Sequence, residues 1–139
     1  VIGKARLGGK IDKMVLEDEK VIVYDYKTGK AKRNWTGRTK PEKIQLHSYW
    51  RQLVFYKILV ENSRAFASRK VNTGVLEFIE PFGKQIIDLS LNIGSEETDR
   101  LKRLIMIVFD KIQKLDFPDV SKYSDDVKGI IQFEDDLLG

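Results

Sequence analysis

The stretch GKIDKMVLEDEKVIVYDYKTGK, residues 9–30, decides how the chain is read. Two runs, GGKIDKMVL and KVIVYDYK, flank a charged tip from Glu17 to Lys20. Apolar and β-branched runs around a polar tip predict an antiparallel hairpin. A four-residue tip sets Leu16 opposite Val21, Met14 opposite Val23 and Asp12 opposite Asp25. Side chains alternate faces along a strand, so Asp25 and Lys27 point the same way. Two carboxylates and a lysine then share one face at one end of a two-stranded ribbon. The plainest account is a surface ion pair with Asp12 in a turn, and DYK alone favours that account.

The rest of the chain narrows the setting. At 139 residues, 42% hydrophobic and 33% charged, it suits one soluble globular domain, 1–139. No apolar run reaches the roughly 18 to 20 residues of a membrane span, and no signal-peptide pattern opens the sequence. No membrane partner is expected, and a cytoplasmic setting fits. Cysteine is absent, which excludes disulfides, cysteine-ligated zinc and an iron–sulfur cluster within the chain. The chain opens within a strand-like run and without methionine, so a piece of a longer polypeptide is expected.

Charge is distributed unevenly. Residues 27–43, KTGKAKRNWTGRTKPEK, hold seven cations against Glu42 alone, a local +6. Residues 116–139 hold seven acids against Lys122 and Lys128, a local −5. A basic segment beside the DYK strand suits a phosphate-bearing partner, although a charge run is more often a solvated loop. Lys30, Arg33 and Arg38 are the phosphate contacts it offers.

Beyond the basic loop, TKPE predicts a helix start. Thr39 is the N-cap, proline lies in the first turn and Glu42 closes a capping box. A helix is expected over 41–63. VNTGVLEFIE and KQIIDLSL read as strands joined by the turn PFG. Residues 95–115 read as a second helix, capped by Ser95, with Leu101, Leu104, Ile105, Val108 and Ile112 at helical spacing. The tail 117–139 is expected to be an acidic extension packed by Phe117, Ile130 and Phe133, with a short helix in SDDVKGIIQFEDDLL. The order β-β-loop-α-β-β-α predicts an α/β fold with a mixed β-sheet flanked by helices.

The chemistry follows from the paired acids. Two close carboxylates stay ionised together only beside a compensating cation. Hard oxygen ligands on adjacent strands suit Mg2+ or Mn2+. The backbone carbonyl of Tyr26 could complete the shell. A lysine beside such an ion can orient or deprotonate a water attacking phosphorus, or stabilise charge developing on the phosphoryl oxygens.

The order G-x-I-D, D-Y-K-T-G with its Asp thirteen positions after the first, a basic loop and a helix bearing Q-x-x-x-Y is more specific than any of its parts. GKIDKMVLEDEKVIVYDYKTGK followed by RQLVFYKILVE resembles the PD-(D/E)XK nuclease superfamily, in its RecB/AddB-like branch. Such domains often sit at the C-terminal end of UvrD/Rep-type DNA helicases. The resemblance implies a restriction-endonuclease-like core. It implies a metal-dependent DNA nuclease or exonuclease acting in recombination or repair, with a helicase domain in the same polypeptide as partner. It assigns Asp12 and Asp25 as metal ligands, the Tyr26 carbonyl as a third and Lys27 as the catalytic lysine. Gln52 and Tyr56 fit its Q-x-x-x-Y motif, which supports the site and the nearby DNA strand. Gln45 and Tyr49 spell the same motif and are the secondary candidates, because RQLVFYKILVE is closer to the family's wording.

The resemblance also implies a further ligand, histidine or glutamate, on a helix upstream of G-x-I-D. His47 lies on the wrong helix for it and reads as a surface or packing residue. Trp35, in the basic loop, could stack on a base of single-stranded DNA, but a loop anchor is the commoner use of such a residue. Trp50 reads as core. The competing function is a nuclease-like fold kept as a DNA-binding or subunit-docking module, which would have no chemical reason to keep Asp12, Asp25 and Lys27 together.

Overall fold

The computed structural model describes residues 1–139. The hairpin forms from β1 (Lys13–Glu17) and β2 (Lys20–Lys27), paired antiparallel with Met14 opposite Val23 and Leu16 opposite Val21. That is the register read from the sequence. Glu17 pairs with Lys20, so only Asp18 and Glu19 lie outside the ladder, and Asp18 takes a positive φ of 52°. Pairing stops at Lys13↔Tyr24. Asp12 therefore lies just ahead of β1 and is not a strand residue facing Asp25.

Helix α1 (Lys40–Glu61) links β2 to β3 (Lys70–Phe82), which lies parallel to β2. Parallel neighbours need a long crossover, and α1 supplies it. β4 (Gln85–Asn92) returns antiparallel, giving a four-stranded mixed sheet in the order β1-β2-β3-β4. Gly83 has φ 66° at the head of the two-residue β3–β4 link. A type II′ turn requires glycine at that first central position.

The α1 start follows its signal: Thr39 Oγ accepts from the Glu42 amide and Glu42 reaches back to the cap backbone. Helix α2 (Ser95–Lys114) does not start as expected. Gly94, not Ser95, is the N-cap, and no side chain bonds there. The Thr98 hydroxyl instead closes the first turn on the Gly94 carbonyl at 2.7 Å.

The core lies between the sheet and α1. Val21, Val23, Leu76 and Phe78 meet Leu46, Leu53 and Val60, all nearly inaccessible. Burying each such side chain contributes about 1.5–3 kcal/mol. α2 and α3 (Val127–Leu138) pack behind α1. Only Leu104 of the five apolar residues marked along α2 is buried, while Val108 and Ile112 remain exposed.

The acidic tail is held partly as expected. Ile130 and Phe133 are half-buried, Phe133 against the Tyr123 ring, but Phe117 is exposed. Buried Glu134 on α3 instead accepts from Arg51 of α1 and Arg100 of α2, and Asp125 pairs with Lys40. No helix is long and apolar enough to cross a membrane.

Candidate active site

β2 carries its apolar side chains into the core at Val21 and Val23, and the same face continues to Asp25. Alternation thus delivers a carboxylate, 3% exposed, to a place that an aliphatic residue would otherwise fill. A buried carboxylate is tolerable only when it is paired and hydrogen-bonded. α1 provides the partners. Tyr56 donates its hydroxyl to Asp25 Oδ1 at 2.8 Å, and Gln52 Nε2 donates to the same oxygen at 3.0 Å. Gln52 Nε2 also reaches the Tyr56 hydroxyl at 2.9 Å. Burial, and then the Asp25 carboxylate that it serves, push the Tyr56 phenol well above its usual range. Tyr56 is therefore a fixed donor near neutral pH.

Lys27, two residues on and on the same face, forms an ion pair with Asp25 Oδ2. Its ammonium donates to Gln52 Oε1 at 2.7 Å and lies 4.2 Å from the centre of the Tyr49 ring. Carboxylate, amide oxygen and aromatic face all attract a cation. Gln52 is therefore the hinge of the cluster, donating to Asp25 and accepting from Lys27. The i, i+4 spacing of Gln52 and Tyr56 places both over the end of β2. Tyr49, one turn earlier, completes the wall, while Gln45 is exposed and makes no hydrogen bond to the cluster.

Asp12 is exposed, and its Oδ2 accepts the Tyr26 backbone amide at 2.9 Å. Asp12 is thereby fixed to the residue between Asp25 and Lys27. The Tyr26 side chain points to the opposite face and is partly exposed.

The donor set can be tested against a divalent cation. Asp25 Oδ2 is buried and is met by the Lys27 ammonium alone. Asp12 uses only one oxygen on Tyr26. No three acidic, histidine or cysteine side chains gather into a cage. A small hard cation such as Mg2+ needs no cage; it takes one or two carboxylates and fills the other positions with water and substrate phosphate. Two carboxylates beside a backbone carbonyl fit that mode.

His47 stays outside the site. It stacks on Trp50 at 5.4 Å, and burial followed by the neighbouring Arg51 charge lowers its pKa.

The basic loop leaves directly from Lys27. Of its seven cations, Lys27, Lys32 and Lys40 are spent on Asp25, Glu42 and Asp125. Lys30, Arg33, Arg38 and Lys43 make no ion pair. Trp35 is half-buried against the core, and its indole N–H donates to the Ser90 carbonyl at 2.7 Å. It ties the loop to β4.

A model of the PD-(D/E)XK nuclease superfamily matches residues 1–123. No curated protein matches the chain. No solved structure matches it either. The family match spans all four strands, α1 and α2, and the mixed sheet flanked by helices is the restriction-endonuclease-like architecture. With most of its length matched in this way, the chain belongs to the PD-(D/E)XK nuclease superfamily.

Proposed function

We propose that this protein is a metal-dependent deoxyribonuclease domain that hydrolyses phosphodiester bonds with Mg2+ or Mn2+. The observation that carries the reading is the buried Asp25–Lys27 pair, braced by Gln52 and Tyr56 and flanked by Asp12. Burying a carboxylate and an ammonium at a strand end costs several kcal/mol that an apolar pair would not. That cost, carried at a strand end with a second acid, Asp12, beside the pair, suits a functional site.

Asp12, Asp25 and the Tyr26 carbonyl are the groups that would hold the cation. Bound there, it would act as a Lewis acid on the phosphoryl group and lower the pKa of a coordinated water. Lys27 is held as a donor, aimed by Gln52 and Tyr49, and stabilises the charge that grows on the phosphoryl oxygens. Tyr56 and Gln52 keep the Asp25 carboxylate in place while Lys27 moves to the substrate. Lys30, Arg33 and Arg38 bind flanking phosphates. The finer placement, a RecB/AddB-like nuclease joined to a helicase in recombination or repair, is supported by the wording of the motif alone.

One observation favours a silent DNA-binding or docking module: Lys27 already neutralises Asp25, and no third acid joins the set. Two assays on wild type, Asp25→Asn and Lys27→Ala separate these readings. One is cleavage of end-labelled single- and double-stranded DNA in Mn2+, and the other is metal binding by calorimetry. Metal binding lost in Asp25→Asn and cleavage lost in both variants are expected. DNA binding without metal binding or cleavage in the wild type would leave the silent module as the answer.

A further inference from the structure

The β3–β4 hairpin outruns its neighbour. Lys27 ends β2 opposite Phe78, and β3 continues to Phe82. Phe82 thus stands four residues past the catalytic level, roughly 13 Å along the strand. It is 55% exposed at the turn headed by Gly83. An aromatic ring at a hairpin tip has no core to serve.

Phe82 is not isolated. It borders a cleft of about 420 Å3 formed with the basic loop, into which Lys30, Lys32, Arg33 and Arg38 also project. The Arg33 guanidinium lies 4.5 Å from the centre of the Phe82 ring. The cleft's one carboxylate, Glu42, is already used by Lys32 and by the Arg38 and Thr39 amides. Lys30, Arg33 and Arg38 therefore have no carboxylate partner, and Arg33 covers one face of a ring that is otherwise exposed.

A row of free cations with one stacking platform matches single-stranded nucleic acid, whose phosphates and bases are both available. A duplex keeps its bases stacked inside and presents no ring to Phe82. We infer that the Phe82–Arg33 cleft binds an unpaired nucleotide of single-stranded DNA, the base stacking on Phe82 and its phosphates meeting Lys30, Arg33 and Arg38. The inference rests on the DNA-nuclease reading and deepens it. The strand leaving the cleft runs along the basic loop to Lys27, so a frayed or single-stranded end would be the form presented for cleavage.

The test is binding in chelator, where no cleavage can occur. Fluorescence anisotropy would compare a labelled single-stranded oligonucleotide, the same chain with abasic sites, and a blunt duplex. Phe82 is exposed, so Phe82→Ala should fold, and Phe82→Trp keeps a stacking ring. Phe82→Ala should weaken binding to the single strand by roughly fivefold to a hundredfold. It should leave the abasic chain and the duplex within about twofold, and Phe82→Trp should restore the single strand. Unchanged single-strand binding in Phe82→Ala, or an equal loss on all three probes, overturns the stacking role and leaves the nuclease reading standing. If the wild type binds none of the probes, the cleft reading falls, and the nuclease reading is judged separately by cleavage in Mn2+.

Discussion

Lys27 and Lys57 are both largely removed from solvent and both paired with a carboxylate, one beside α1 and the other on it, yet their surroundings differ in kind. Lys57 donates to Glu61 at 2.6 Å and to the Val71 carbonyl at 2.5 Å, while Glu61 accepts the Val71 amide at 2.9 Å. Every charge there is answered within a closed ring that ties the end of α1 to the start of β3. At Lys27 the ring is open. Asp25 Oδ2 is met by Lys27 alone, and a second acid, Asp12, stands by. A buried lysine whose partners satisfy one another is architecture. One whose carboxylate keeps a lone pair unclaimed is equipped to take something else.

Substitution can break that contrast. Lys27→Ala should lower DNA cleavage by on the order of a thousandfold or more, with a cooperative thermal transition retained. An end-labelled DNA assay in Mn2+ reads it, and near-normal cleavage would remove Lys27 from the chemistry. Lys57→Met should do the reverse. It leaves Glu61 buried without its cation and should cost about 3 kcal/mol in urea unfolding, while cleavage per folded molecule holds. A loss of cleavage at unchanged stability would erase the distinction between the two lysines.

Tyr56→Phe sharpens the comparison from the other side. It removes one of two donors to Asp25 Oδ1 and should cost about 1–2 kcal/mol. Cleavage should fall by about tenfold, because Gln52 still holds the carboxylate. Chemical denaturation and initial rates measured on one preparation would show whether the two losses travel together.

The smallest effect belongs to Glu42, at the solvent-facing end of α1. The Arg38 amide first, then Lys32 and the Thr39 amide, hold its carboxyl at about 2, below its ordinary 4.5. A carboxyl depressed on folding stabilises the folded state above its unfolded value, and that contribution fades as pH falls toward the folded one. Glu42→Gln should therefore be less stable than wild type at pH 7. The gap should narrow between about pH 4.5 and pH 2. A gap that stayed constant over that window would show that the capping geometry, not the charge, matters.

Much of this was legible in the sequence because it depends on short-range periodicity. The hairpin register follows from alternation between Met14 and Val23, and the α1 start from Thr39 and Glu42. The i, i+4 pairs on α1 were visible too; spacing alone could not choose between Gln45/Tyr49 and Gln52/Tyr56, and only the likeness of RQLVFYKILVE to the family's motif favoured the second pair. The phase of α1 against β2 sets that choice, and it arises from packing across 25 or more residues of chain. Asp12 was legible as an acid near Asp25. Its hold on the Tyr26 amide was not, because it lies ahead of the strand rather than in it.

The misses share a cause. Glu134 is buried by arginines from two other helices, a long-range pairing that no local pattern encodes, and it anchors the tail where Phe117 does not. Gly94 displaces Ser95 as cap because Thr98 closes the turn from within. Phe82 was hidden in PFG, where the proline and glycine signalled a turn and the ring between them passed as part of it.

Gly74 sits in β3 beneath α1, where a methyl group would come within 3.0 Å of Leu53 Cβ. Leu53 adjoins Gln52, whose bonds to Asp25 and Lys27 are 3.0 and 2.7 Å long. The missing methyl thus sets the clearance between helix and sheet on which those reaches depend. Lifting α1 by a few tenths of an ångström would act as a lever on the cluster, loosening Gln52 while leaving its chemistry untouched. A position with no functional group thereby becomes a tuning point for the proposed site, and variation there would disturb the Gln52 contacts before it altered the fold.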